Sequence, residues 1–105
     1  MPDQDNALSP AEAERLHMLI EELGEAQQAA AKVLRHGYNA FDPARPTCTN
    51  RDDLVAELGD VTASIWFLQR AGDVGHDEVR LKALEKSARV AKYTYHQPER
   101  LKEYG

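Results

Sequence analysis

The chain has 105 residues, about the size of one small domain, and its 18 acidic against 13 basic residues give a net charge of −5. This balance excludes the broad basic surface of a general nucleic-acid-binding protein. The single cysteine forms no internal disulfide, and no apolar run is long enough to cross a membrane. The N-terminus lacks the basic and apolar regions of a signal peptide. We therefore expect a cytoplasmic protein with one domain over residues 1–105 and no membrane partner.

The first predicted element is a helix over residues 10–36. Ser9, Pro10 and Glu12 match a capping box with proline at the first helical position, and Gly37 is a typical helix stop. We expect the residues before the cap, 1–8, to be flexible. Apolar residues recur at helical spacing along the helix and predict its core-facing stripe. They are Leu16, Leu19, Ile20, Leu23, Ala30 and Leu34.

A second strip of small apolar residues runs along the same helix at Ala26, Ala29 and Val33. Small side chains allow another helix to approach closely. We therefore expect this strip to be buried in a homo-oligomer, a dimer or a tetramer. The alternative is that alanine stands there only because it favours helix.

Residues 37–50 are rich in glycine, proline and asparagine and predict a long loop, a feature that is often functional in a compact domain. A second helix is expected to begin with Asn50 as its cap and to end near Gly72. Its apolar residues include Leu58, Leu68 and also Trp66, a residue more typical of a core than of a base-stacking site.

A third helix is predicted over residues 76–94, and Pro98 closes the ordered pattern. No stretch shows the alternating polarity of a strand. The predicted fold class is all-α: a small helical bundle of three main helices, completed by oligomerisation into a four-helix-type core.

An acidic phrase occurs twice, as EELGE at residues 21–25 and ELGD at residues 57–60. Residues three apart on a helix lie side by side, so Glu22 pairs with Glu25 and Glu57 pairs with Asp60. Antiparallel packing would bring the two pairs face to face, and such a cluster suits a hard cation, Mg²⁺ or Mn²⁺. The glycine inside each phrase would let a helix or a ligand come close. Spacing alone leaves equally open that the acids are merely solvated.

The motif Glu-Glu-x-x-Glu followed on the next helix by Glu-x-x-Asp resembles the signature of MazG-like nucleotide pyrophosphohydrolases, an all-α superfamily. The phrases LRHGYNAFDP, TNRDDLVAELGDV and KYTYHQPERL are also similar to small members of that family, so the resemblance covers most of residues 16–100. The chain departs from the pattern in two ways. Its gap between the acidic pairs is longer than in compact members, and Arg89 stands where an asparagine is common.

The resemblance implies a Mg²⁺-dependent enzyme that cleaves a nucleoside triphosphate to a monophosphate and pyrophosphate. Metal-activated water would attack the α-phosphate. The implied ligands, which are catalytic through the metal, are Glu22, Glu25, Glu57 and Asp60, with Mn²⁺ as a possible substitute ion. The base and sugar stay open, and phosphoribosyl-ATP remains a related substrate. The alternative function is a non-enzymatic helical oligomer that acts as a binding module.

Cations must accompany this cluster if it serves a triphosphate. Lys32 lies two helical turns beyond Glu25 on the same face. On the third helix Lys86 and Lys92, with Tyr93 beside them, are the further phosphate-binding residues that the resemblance favours. His36 lies one turn beyond Lys32, and its place at the helix end also suits simple complementation of the helix dipole.

Overall fold

The computed structural model describes residues 6–97, which form three helices and no strand. The helices are α1 (Pro10–His36), α2 (Asn50–Arg70) and α3 (His76–Ala91). The prediction of an all-α fold is thus confirmed for this part of the chain. No helix within it combines the length and the apolar content that a bilayer crossing requires. The expected flexibility of residues 1–5 and the stop at Pro98 lie outside the described residues.

By its internal contacts the chain divides into two compact units, Met1–Arg70 and Ala71–Gly105. The first unit holds α1, α2 and the loop between them, and the second holds α3. The expectation of one domain over the whole chain stays a prediction.

α1 begins and ends at the residues that the sequence predicts. The Ser9 hydroxyl accepts a hydrogen bond from the Glu12 amide at 3.1 Å, and the Glu12 carboxylate accepts one from the Ser9 amide at 2.8 Å. These two bonds satisfy amides that the first turn leaves unpaired. At the other end Gly37 has a φ of 90°, a conformation that favours glycine and stops the helix.

α2 is capped by Thr49, so the prediction that Asn50 is the cap is wrong. The Thr49 hydroxyl accepts a hydrogen bond from the Asp52 amide at 3.2 Å, and the Asp52 carboxylate accepts one from the Thr49 amide at 2.9 Å. Asn50 is only 3% exposed, and its side chain donates to the Gly37 carbonyl at 3.0 Å. The Asn50 side chain, which the local pattern predicts as a cap, therefore makes a tertiary hydrogen bond instead.

α3 is three residues shorter than predicted. Beyond Ala91 the Tyr93 amide donates to the Val90 carbonyl at 2.9 Å, and the Thr94 hydroxyl donates to the Ala91 carbonyl at 3.1 Å. Threonine commonly competes with the helical backbone in this way. Lys92 and Tyr93 therefore follow the helix instead of lying within it.

α1 and α2 form an antiparallel hairpin. Tyr38 at the end of α1 accepts a hydrogen bond from the Arg51 amide at the start of α2, at 3.0 Å. Further from the loop, Glu22 lies close to Asp60. Residues earlier in α1 thus lie beside residues later in α2, which shows that the two helices run in opposite directions.

The loop between the helices is held by its own hydrogen bonds. The Asn50 amide donates to the Ala40 carbonyl at 2.9 Å, and an isolated antiparallel bridge joins Phe41 to Thr49. Within the loop the Arg45 amide donates to the Asp42 carbonyl at 2.7 Å. These bonds give the loop a defined conformation, which the sequence pattern alone does not predict.

Most of the predicted core-facing stripe of α1 is exposed, and only Leu19 of that stripe is half-buried. The small residues Ala26, Ala29 and Val33 are half-buried within the chain, whereas Ile20 is 66% exposed and Leu34 is 89% exposed. The reason is helical phase: the small strip continues the face of Glu22, and that face lies toward α2. The small strip thus lies at the contact between α1 and α2 within one chain, and its burial in a homo-oligomer stays a prediction.

The hairpin has a thin core of its own. Leu68, at 6% exposure, is the one buried apolar residue among residues 6–97, and Trp66, expected in the core, is 53% exposed. The unit thus leaves apolar surface open on both of its helices.

Candidate metal centre and adjoining groove

The hairpin brings four carboxylates together at its middle. Each of the four offers one oxygen, and these oxygens all lie within 4.8 Å of one another. Two come from neighbouring turns of α1 and two from neighbouring turns of α2. They are the four predicted ligands, Glu22, Glu25, Glu57 and Asp60.

Two of these carboxylates have a buried oxygen without a hydrogen-bond partner. They are Oε2 of Glu22 and Oε2 of Glu57, one from each helix. Buried polar atoms normally have a partner, so an orphaned pair suggests a ligand that completes the site. A cation about 2.0–2.6 Å from each oxygen spans about 4–5 Å between ligands, which agrees with the separation of the cluster.

The environment of the cluster raises the pKa of both half-buried acids. Burial is the main cause at Glu22, followed by the charges of Glu25 and Asp60. Burial is also the main cause at Glu57, followed by a side-chain hydrogen bond with Glu25 and by the charge of that residue. Without a cation the cluster therefore holds protons more tightly than solvated acids do. A divalent cation would take the place of these protons.

The glycines of the acidic phrase do not serve the packing of α1 on α2. A Cβ atom built at Gly24 or at Gly59 would meet no heavy atom within 4 Å. The expectation that these glycines let a helix come close is therefore not met between α1 and α2, and the expectation that they let a ligand come close stays a prediction. Both positions face open space in the single chain.

A groove of about 420 Å³ adjoins the cluster on the side of the loop. Glu25 and Glu57 form its boundary with the cluster, and Lys32 lies along it, where the sequence predicted a cation. The groove also contains residues that the prediction did not name. The full lining is Glu25, Gln28, Ala29, Lys32, Arg45, Asp53 and Glu57.

Arg45 enters this groove from the loop and is held by two neighbours. Its Nη2 atom donates to Asp53 Oδ1 at 3.0 Å and to Cys48 Sγ at 2.9 Å, and Cys48 Sγ donates to the same Asp53 oxygen at 3.2 Å. The bonds from Cys48 and Arg45 lower the pKa of Asp53. The bond to Asp53 raises the pKa of Cys48, which favours the thiol over the reactive thiolate. Cys48 is thus a structural member of the network.

Sequence reasoning missed Arg45 and Asp53. No periodicity connects a loop arginine with Asp53, which lies eight residues later on α2, and the only available signal was the length of the loop itself.

A second groove of about 400 Å³ opens on the other side of Lys32. His36 and Asn50 contribute to it, together with Phe41 and Asp42 from the loop. His36 therefore lies at a concave surface as well as at the end of α1.

The other predicted phosphate ligands belong to the second unit. Lys86 is exposed on α3, Lys92 follows the last helical residue, and Tyr93 is 72% exposed in the turn after it. Their assignment as phosphate ligands stays a prediction.

Comparisons with protein-family models, with curated proteins and with solved structures give no match to this chain.

Proposed function

We propose that the protein is a MazG-like, Mg²⁺-dependent nucleoside triphosphate pyrophosphohydrolase that releases a nucleoside monophosphate and pyrophosphate. The observation that carries the proposal is the convergence of four carboxylates within 4.8 Å, two of which have a buried oxygen without a partner. Like charges at this separation repel one another, so a cation bound among the four carboxylates would stabilise their arrangement. The motif that resembles the family signature contributes all four residues.

The carboxylates act as ligands that fix a cation between α1 and α2. When bound, Mg²⁺ lowers the pKa of a coordinated water and neutralises charge on the departing pyrophosphate. Glu22 and Glu57 present their orphaned oxygens from opposite helices, so the site depends on the alignment of the hairpin. Lys32 supplies positive charge at the loop end of the cluster.

We also propose that the hairpin pairs with a second copy to form a four-helix core. A chain with one buried apolar side chain among its described residues gains stability if it covers its open apolar faces. On α1 the residues to be covered are Leu16, Ile20, Leu23 and Leu34. On α2 they are Val55, Leu58 and Trp66. These faces are proposed as the interface in addition to the small-residue strip.

The alternative, a non-enzymatic helical oligomer that binds a partner, is favoured by the same exposed apolar faces. The two functions differ in the fate of the carboxylates. A binding module tolerates their neutralisation, whereas the enzyme does not.

The test combines metal binding with turnover. The purified protein is titrated with Mn²⁺ by calorimetry, and pyrophosphate release is measured with a panel of ribo-, deoxyribo- and damaged nucleoside triphosphates and with phosphoribosyl-ATP. Glu22→Gln and Asp60→Asn should each abolish Mg²⁺-dependent release while helicity is retained, because each removes charge and keeps shape. Glu14→Gln, an exposed site on the same helix, is the matched control and should behave as wild type. Undiminished turnover in both cluster variants would refute the metal site.

A further inference from the structure

The Arg45 guanidinium has hydrogen-bond donors that its contacts do not use. Both of its hydrogen bonds use Nη2, so Nη1 and Nε have no partner among residues 6–97. The contacts with Asp53 and Cys48 fix the guanidinium at the groove while leaving donors available. An arginine that is held in place on one side can bind an anion with the other at little further entropic cost.

The groove presents this arginine beside the acidic cluster. Arg45 and Lys32 lie in the same concave surface, and Glu25 and Glu57 connect that surface to the cluster. Lys32 is also close enough to Asp53 to help lower the pKa of that carboxyl. Two cations are thus gathered around one anchoring carboxylate, next to the point where a metal ion would bind.

The charges of this region require a cation before an anion can bind. The four cluster carboxylates and Asp53 carry more negative charge than Lys32 and Arg45 offset. A divalent cation at the cluster would offset two of these negative charges, so the positive charge of Lys32 and Arg45 in the groove would be opposed far less. A chain of phosphates has the complementary charge, and its oxygens suit the planar fork of arginine.

We propose that this groove binds the pyrophosphate portion of the substrate, with Arg45 and Lys32 as its ligands and Asp53 as the positioning residue for Arg45. The proposal rests on the proposed function, because it needs the cation at the cluster. It assigns to the loop a direct part in substrate binding.

The test is calorimetric titration with inorganic pyrophosphate, first without metal and then in the presence of Mn²⁺. Wild type should bind pyrophosphate only with Mn²⁺. Arg45→Ala should weaken this binding about ten- to hundredfold, the loss typical of a hydrogen bond to a charged group, with Mn²⁺ affinity and helicity unchanged. Arg45→Lys, which keeps the charge and loses the fork, should fall between the two.

Arg51→Ala is the matched control. Arg51 also contacts the loop, through a 3.0 Å hydrogen bond to Asn39 and a guanidinium 4.9 Å above the Tyr38 ring, but it does not line the groove. This variant should bind pyrophosphate as wild type does.

Each remaining outcome decides the matter. Wild-type pyrophosphate affinity in Arg45→Ala, or an equal loss in Arg51→Ala, overturns the phosphate site and leaves the metal site standing. Binding of Mn²⁺ without binding of pyrophosphate does the same. A wild-type protein that binds no divalent cation refutes the proposed function, and the groove proposal, which needs that charge, falls with it.

Discussion

Asn50→Ala should destabilise the hairpin more than its small size suggests. Asn50 is 3% exposed, and its side chain donates to the Gly37 carbonyl at 3.0 Å, which joins the start of α2 to the end of α1. Alanine removes both this bond and the packing of a side chain that is 3% exposed, which together cost about 1–3 kcal/mol. A central value of about 2 kcal/mol lowers the melting temperature of a domain of this size by about 8–16 °C.

Thermal unfolding followed by circular dichroism, at one fixed protein concentration, measures the effect. Asn39→Ala is the control, because Asn39 is exposed in the same loop and its hydrogen bond to Arg51 lies at the surface. Its change in the free energy of unfolding should stay within about 0.5 kcal/mol. If the two variants have the same melting temperature, or if Asn50→Ala has that of wild type, the reasoning that the tertiary bond of Asn50 holds the loop is refuted.

Four further outcomes are expected. Burial raises the pKa of Glu22 and Glu57 above 4.5, so the metal-free folded state holds more protons than the unfolded state. Its free energy of unfolding should therefore fall as pH rises from 4.5 through these pKa values. Urea unfolding in EDTA at a series of pH values should show a weaker dependence of this free energy on pH in the variant with both residues changed to Gln. Gly59→Ala, whose Cβ meets nothing within 4 Å, should stabilise an isolated chain by about 1 kcal/mol, whereas a loss of stability would indicate that a second copy covers this position. Ile20→Asp should dissociate the proposed oligomer in sedimentation experiments, and a wild-type monomer at micromolar concentration would defeat the four-helix proposal. Lys86→Ala should lower kcat/KM about ten- to hundredfold without changing Mn²⁺ affinity, and wild-type efficiency would leave phosphate binding to the cations of the first unit.

The parts of the fold that depend on local chemistry were predictable from the sequence. Both ends of α1 follow from the Ser9 capping box and from Gly37, because a cap needs only residues a few positions apart. The start of α2 was harder, since Thr49 and Asn50 are both competent caps. A tertiary bond from Asn50 decided between them, and such bonds leave no mark in a local pattern.

The inner face of α1 could have been deduced and was not. Apolar periodicity alone identifies two strips and cannot say which one is covered. Once Glu22 and Asp60 are expected to face each other, however, Ala26 and Ala29 must face α2 as well, because they share the phase of Glu22. The hydrophobicity of the larger leucine stripe favours it as the inner face, whereas the geometry of the acidic pairs favours the small strip.

The carboxylate cluster was predictable because helical spacing fixes which side chains are neighbours. The Arg45 network was not, since the path of the loop depends on hydrogen bonds such as that from the Arg45 amide to the Asp42 carbonyl. The helical residues of the candidate site can therefore be predicted from the sequence, whereas the loop residues cannot.

The hydrogen bonds that join the two ends of the loop separate the alignment of the helices from the lining of the groove, so each can change independently in evolution. Bonds from Asn50 to Gly37 and to Ala40 hold the ends of the loop together, so the alignment of α1 with α2 does not depend on what lies between. Lengthening a flexible loop costs little, about 0.6 kcal/mol for each doubling. Insertions between these anchors can alter the lining of the groove while the cluster carboxylates keep their places. For the proposed metal site, a change in the length of this loop is therefore a route to different substrate preferences.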